Sequence, residues 1–199
     1  MIQEKTTQME RRLQISQAAL KIIAKQGVDK LTTKRLAKEV GISEAAIYKY
    51  FESKNDILVF ALKFVQENLH KKITEIDSDT GDSLQKLLRI IRFQFNLLEE
   101  NQGIPRVIFS EQIYLGSHLL REMYLQNING YYAFLHGIIQ EGIEKGTFRK
   151  DLNVDMAATS CMGLVQTTVF RWSIEGNGKG LINRADEIID YLRKCWVKA

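Results

Sequence analysis

TTKRLAKEVGISEAAIYKYFESKNDIL, residues 32–58, carries three helix starts with almost no spacer between them. Thr32 offers a hydroxyl to cap a first helix whose apolar face is Leu36, Ala37 and Val40. Gly41 ends that helix, because glycine enters a left-handed turn without a Cβ clash. Ser43 caps a second helix, Glu44 to Tyr50, and Ser53 with Asp56 three residues on resembles a capping box for a third. Helix, glycine turn, helix is the helix-turn-helix pattern.

The second helix sorts into two faces. Ile47 and Phe51 lie four apart and can pack with Val40 and Ile42 against the preceding helices. Ala45 with Lys49, and Glu44 with Tyr48, lie elsewhere. Small side chains at the front let a backbone approach a DNA groove, and Tyr48, Lys49 and Tyr50 can reach phosphates. Spacing alone fits an ordinary helical corner equally well.

Gly41-Ile42-Ser43-Glu44-Ala45-Ala46-Ile47-Tyr48-Lys49-Tyr50-Phe51-Glu52-Ser53-Lys54 resembles the recognition segment of the TetR family of transcriptional regulators. The Tyr-x-Tyr-Phe, the Ser-Lys, and the acidic residue and Leu that follow carry the likeness, which is close over about residues 8–68. Beyond that it is a likeness of architecture. Many members have glycine where Ala45 stands, and Glu44 puts an acid at the entry of the reading helix. Glu44 either accepts from a cytosine amine or complements the helix N-terminal dipole. The resemblance implies that Thr33, Lys49, Tyr50 and Lys54 position the protein on phosphate. It implies that Ser43, Ala45, Ala46 and Tyr48, with Glu44 beside them, lie at or near base edges.

Charge agrees with a nucleic-acid partner at one end. Residues 1–58 hold 11 Lys or Arg against 7 Asp or Glu, and the remainder holds 17 of each, so the whole net +4 sits in the first segment. A hydrophobic content of 45% in 199 residues supports a sizeable core. Cys161 and Cys195 form neither a disulfide framework nor a CxxC motif, and both are expected as buried, reduced thiols. The polar start, Gln3 to Arg12, lacks a signal-peptide core, and no apolar run approaches the ~20 residues of a membrane span. No membrane association and a cytoplasmic location are therefore expected.

Apolar spacing predicts helices over Met9–Gln26, Lys54 to about Ile76, residues 83–101, and a segment with Pro105 in its first turn that holds Val107, Ile108, Phe109 and Ile113. Ser117 to about Lys145, Val154–Ile174 and Ile182–Val197 follow. Arg11 and Arg12 on the first helix are read as solvated charges or phosphate contacts. Gly130, Gly137 and Gly142 interrupt the long seventh helix and suggest close packing or a kink. The fold expected is all-α with about nine helices. A DNA-binding domain over 1–56, with its helix-turn-helix at about 31–50, precedes an effector-binding and dimerisation domain over 57–199.

Little suggests catalysis. There is no HExxH, GxSxG, GxGxxG or phosphate-binding loop, and His118 and His136 stand five helical turns apart, roughly 27 Å. No catalytic residue, metal or cofactor is assigned. Phe93, Phe109, Tyr114, Met123, Tyr124, Tyr131, Met162 and Gln166 can line a cavity for an apolar molecule, or can form solid core. The resemblance implies a small effector in this region, and the layout is similar to family members that sense acyl-CoA. It also implies a symmetric dimer contact through the last two helices, for which Val165, Val169, Trp172, Ile188 and Leu192 are the apolar candidates. The expected protein is a homodimeric repressor that binds double-stranded operator DNA and is released by a small effector. The alternatives are a helical architectural DNA-binding protein without an effector and an all-α enzyme.

Overall fold

The structure is a computed structural model that describes residues 2–111, 113, 118–176 and 180–197, with side chains from residue 7 onward. Nine α-helices and one 3-10 turn make up the regular structure of the described residues, and no strand is present among them. The helices are α1 (Ile2–Gln26), α2 (Thr33–Val40), α3 (Glu44–Tyr48), α4 (Lys54–Asp77) and α5 (Ser83–Glu100). They continue with α6 (Gly103–Ile108), α7 (His118–Glu144), α8 (Val154–Ile174) and α9 (Arg184–Trp196). Helix α1 starts at Ile2, seven residues before the start expected at Met9. Helix α3 ends at Tyr48, two residues short of expectation, since the Tyr50 and Phe51 amides both turn back to the Ile47 carbonyl. Helix α9 begins two residues late, after the turn Leu181–Asn183.

The chain forms two compact units. The first is Met1–Val65 with Asn101–Tyr124. Its core takes Ile15, Ala19 and Ile23 from α1, Leu36 from α2, Ile47 from α3, then Phe51, and Ile57 and Leu58 from α4. Helix α6 lies against α1, and glycine is required at 103 because a Cβ there would collide with the Leu20 backbone. Ile104 and Val107 are buried in the same unit. Arg12 is half-buried, with its guanidinium 4.7 Å from the Phe51 ring centroid and 4.6 Å from that of Phe60. It is more than the solvated charge expected of it: it links α1, the end of the reading segment and α4 by cation–π contact. Arg11 instead donates to Gln14 on its own helix, at 2.6 Å.

The second unit is Gln66–Glu100 with Leu125–Ala199. Leu87, Ile90, Ile91 and Phe95 of α5, Leu135, Ile138 and Ile139 of α7, Cys161, Val165 and Val169 of α8, and Ile189 and Leu192 of α9 supply its core. Two groups of polar contacts fix α9 and the connector before it. Glu99 accepts from the Gly180 amide at 3.0 Å and the Ile182 amide at 3.2 Å, and Arg92 donates to Asp186 at 2.6 Å. The Lys86 ammonium is buried and meets both Glu141 oxygens, at 2.9 and 3.2 Å. Lys145 shares Glu141, and the two lysines, Lys145 first, hold the Glu141 carboxyl below its ordinary range. Of the glycines inside α7, only Gly142 answers to close packing, where a Cβ would strike Phe148; Gly130 and Gly137 face open space. Cys161 is buried as expected, but Cys195 is exposed, on the outer side of α9. Helices α4 and α7 contribute residues to both units.

Candidate nucleic-acid interface and effector region

Side-chain caps set the entry of the reading helix. Ser43 is extended, at φ −77° and ψ 156°, and its Oγ accepts from the Ala46 amide at 3.1 Å. Thr32 caps α2 in the same way, accepting from Arg35 at 3.2 Å. Gly41 closes α2 at φ 76°, a left-handed conformation that a side chain would strain. Ser53 Oγ accepts from the Asp56 amide at 3.2 Å at the start of α4. Each of these caps satisfies one backbone group that the helix end would otherwise leave without an intrahelical partner.

Glu44 meets a group that its position in sequence did not suggest. Its Oε2 accepts from Thr33 Oγ1 at 2.9 Å, so the first residues of α2 and α3 are joined by a side-chain hydrogen bond. Thr33 and Glu44 were expected at phosphate and at a base edge; here each occupies one end of this bond. Arg35 donates to Gln26 at 2.7 Å and ties α2 back to the end of α1. On α3 itself Ile47 is buried, whereas Ala45 and Tyr48 are exposed and Ala46 is half-buried. Lys49 is exposed beyond the helix, and Tyr50 and Lys54 are half-buried. One face therefore packs and the other presents two small residues followed by a phenol and a cation.

The effector candidates are divided between the units. Phe109, Met123 and Tyr124 belong to the first and are half-buried, whereas Phe93, Tyr131, Met162 and Gln166 belong to the second. Tyr114 lies outside the described residues. Tyr131 is buried and its ring centroid lies 6.5 Å from that of Phe134. Burial first, and the neighbouring Cys161 thiol second, raise the phenol well above its ordinary pKa, so it is uncharged. The Cys161 thiol is pushed up to about 12 by burial alone. The Tyr131 hydroxyl has no hydrogen-bond partner among the described residues. Next to it in sequence, Tyr132 donates to Asp155 at 2.8 Å and joins α7 to α8.

A cleft of about 370 Å³ lies between α8 and α9, lined by Thr168, Arg171, Trp172, Leu181, Arg184 and Ile188 among others. None of the effector candidates lines it. The five interface candidates are all buried within the chain: Val165 is 1% exposed, Val169 3%, Trp172 8%, Ile188 6% and Leu192 1%. Periodicity identified an apolar face correctly but could not say that α8 and α9 spend it on intramolecular packing. The exposed apolar side chains of these helices are Met156, Phe170, Ile174 and Tyr191. Among the described residues no group of three His, Cys, Asp or Glu side chains is placed to hold a metal ion, and no helix is long and apolar enough to cross a membrane.

This arrangement is that of a helix-turn-helix regulator with an all-α C-terminal region. Residues 15–59 match the bacterial regulatory proteins of the tetR family, and the chain belongs to that family of DNA-binding transcriptional regulators. Residues 62–195 match, more particularly, the C-terminal region of YsiA-like proteins. The chain is similar to the fatty acid metabolism regulator protein of Bacillus subtilis (strain 168), with 26% identity over 180 residues, 90% of this chain and 92% of that one. It is also similar to the nucleoid occlusion factor SlmA of Vibrio cholerae, with 28% identity over 165 residues, 81% of this chain and 83% of that one. The crystal structure of the transcriptional regulator FadR from Bacillus subtilis in complex with stearoyl-CoA has a TM-score of 0.73 and 26% identity, covering 90% of this chain and 96% of that one.

Proposed function

We propose that this chain is a cytoplasmic repressor that binds a palindromic operator as a homodimer and leaves it on binding a long-chain acyl effector such as an acyl-CoA. The observation that carries the DNA half is α3: Ile47 is buried, and the opposite face exposes Ala45, Tyr48 and Lys49 behind a side-chain-capped entry. In this reading Ala45 and Ala46 let the backbone approach the bases, Ser43 and Tyr48 lie at base edges, and Lys49, Tyr50 and Lys54 position on phosphate. Thr33 and Glu44 act as a pair that sets the angle between α2 and α3 and leaves the second Glu44 oxygen for a base amine. Residues 1–56 serve as the DNA-binding domain and 57–199 as the effector and dimerisation domain.

One helix-turn-helix reads one half-site, so specific affinity needs two. The dimer contact assigned here is the exposed face of α8 and α9. Met156, Ser160, Gly163, Thr167, Phe170 and Ile174 recur along one exposed side of α8, with Tyr191 on α9. Gly163 and its small neighbours allow close helix approach, and Met156, Phe170 and Ile174 give the apolar area.

The acyl effector is supported by the Bacillus subtilis FadR–stearoyl-CoA complex, whose protein this chain resembles over most of its length. A ligand releases DNA only through a difference in affinity between two states, and α4 and α7, which run in both units, are continuous paths for that coupling. A preference of about 3 kcal/mol weakens operator binding about 150-fold. Linkage requires operator DNA to weaken effector binding by the same factor. The test is the affinity for stearoyl-CoA with and without saturating operator. A matched loss of affinity is expected; equal values would remove acyl-CoA as the releasing effector.

A further inference from the structure

We infer that Arg12 is a positioning residue for DNA reading: held against Phe51 and Phe60, it fixes the exit of α3 and with it the side chains that meet DNA. This rests on the assignment of α3 as the reading helix above, and adds to it a residue of α1 that acts through the rings it touches.

Helix α3 is five residues long, Glu44–Tyr48. Isolated helices shorter than ~12–15 residues are marginal in water, so α3 takes its orientation from what holds it at each end. Its entry is held by the Ser43 cap and the Thr33–Glu44 bond, and its middle by buried Ile47. At its exit the Tyr50 and Phe51 amides turn back to the Ile47 carbonyl, at 2.9 and 3.1 Å. Phe51 is the buried residue of the connector 49–53. Tyr48, Lys49, Tyr50 and Lys54 all lie within three residues of it. A shift of Phe51 therefore moves the proposed DNA contacts as a set.

Two groups hold the Phe51 ring. Phe60 of α4 meets it edge-on, with centroids 5.5 Å apart and planes at 73°. The Arg12 guanidinium stands 4.7 Å from the Phe51 centroid and 4.6 Å from that of Phe60, so one cation faces both rings. Arg12 lies three residues before Ile15 and seven before Ala19, on the side of α1 that is buried. It is half-buried itself, and a cation over an aromatic ring is held more strongly as it loses water. Arg11, next to it, points elsewhere and bonds Gln14. Arg12, Phe51 and Phe60 all belong to the first unit, so this clamp joins α1, the connector and α4 within one compact body.

The test uses the full-length protein as wild type, Arg12→Met, Phe60→Leu and the double variant. The DNA probes are a palindromic duplex selected by the wild type from a random pool and a shuffled duplex of the same composition. Well below the thermal midpoint, each single variant should bind the selected duplex roughly tenfold more weakly and the shuffled duplex nearly as wild type does. The log–log salt slope should not change. The double variant should stay within about threefold of the weaker single variant, because both substitutions break one clamp. A slope that falls by about one unit in Arg12→Met assigns the guanidinium to phosphate and overturns the inference. So do losses that multiply in the double variant, and so does unchanged affinity for the selected duplex in Arg12→Met.

Hydrogen exchange in the free protein reads the clamp without DNA. The Tyr50 and Phe51 amides should exchange roughly tenfold faster in Arg12→Met, with the Leu36 amide of α2 near its wild-type rate. Equal rates at Tyr50 and Phe51 overturn the clamp. Faster exchange there in a protein whose wild type selects no duplex keeps the clamp and sinks the operator reading.

Discussion

Replacing Phe170 and Ile174 together by glutamate should turn a dimer into folded monomers. Phe170 is 45% exposed and Ile174 68% exposed in the single chain, so that fraction of each side chain is available for burial by a partner. Complete burial of such a side chain contributes about 1.5–3 kcal/mol, so the two together offer roughly 2–3 kcal/mol per copy. A two-fold interface uses the same patch twice, which doubles the loss to roughly 4–6 kcal/mol before any cost of burying charge. That is a weakening of the dimer by about three to four orders of magnitude. Sedimentation velocity from about 0.1 to 50 µM reads it directly, with circular dichroism to show that helical content is kept. Val169→Asp is the contrasting variant. Val169 is 3% exposed, so a charge there enters the core between the helices and should unfold the chain rather than dissociate it. Operator binding should fall in step with dimer content. A Phe170→Glu, Ile174→Glu protein that still sediments as a dimer at the lowest concentration would refute the assigned face.

Lys49→Ala and Lys54→Ala should each weaken binding to every DNA sequence and flatten the log–log salt dependence by about one unit; an unchanged slope in both means that neither touches phosphate. Ala45→Leu should abolish specific operator binding with a near-wild-type thermal midpoint, because Ala45 is exposed. Unfolding of that variant would place Ala45 in the core. The Glu141 carboxyl, lowered by Lys145 and Lys86, stabilises the fold at and above its ordinary pKa. That contribution fades as pH falls through the lowered folded-state value. Glu141→Gln should therefore cost about 1–3 kcal/mol at pH 7, with Lys86 left buried and unpaired, and the difference from wild type should shrink in acid, as a pH series of chemical denaturation will read.

Much of the fold was legible without coordinates, because helix ends are encoded locally. Thr32, Gly41, Ser43 and Ser53 cap or close helices as their residue types predict. The apolar spacing of α8 predicts Val154–Ile174, the span observed. These signals involve residues three or four apart, so chain order suffices to read them. Misreadings came where a residue's role depends on a distant partner. Arg12 was read as a surface charge, but its guanidinium lies over Phe51 and Phe60, thirty-nine and forty-eight positions away. Lys86 carried no sign of burial, since only Glu141 on another helix makes it tolerable.

The sequence by itself determined an all-α chain with a capped helix-turn-helix near its start, a buried Ile47, and small residues at the front of the reading helix. Tertiary structure alone decided that α6 returns to α1 over Gly103, that Thr33 bonds Glu44, and that Val165, Val169, Trp172, Ile188 and Leu192 are spent inside the chain. It also decided that the Gln94 Oε1 and the Tyr131 hydroxyl are buried without a hydrogen-bond partner among the described residues. The reason is physical. Periodicity shows that a helix has an apolar face, but which surface covers that face, and which polar group goes unmatched beneath it, depends on how separate helices pack.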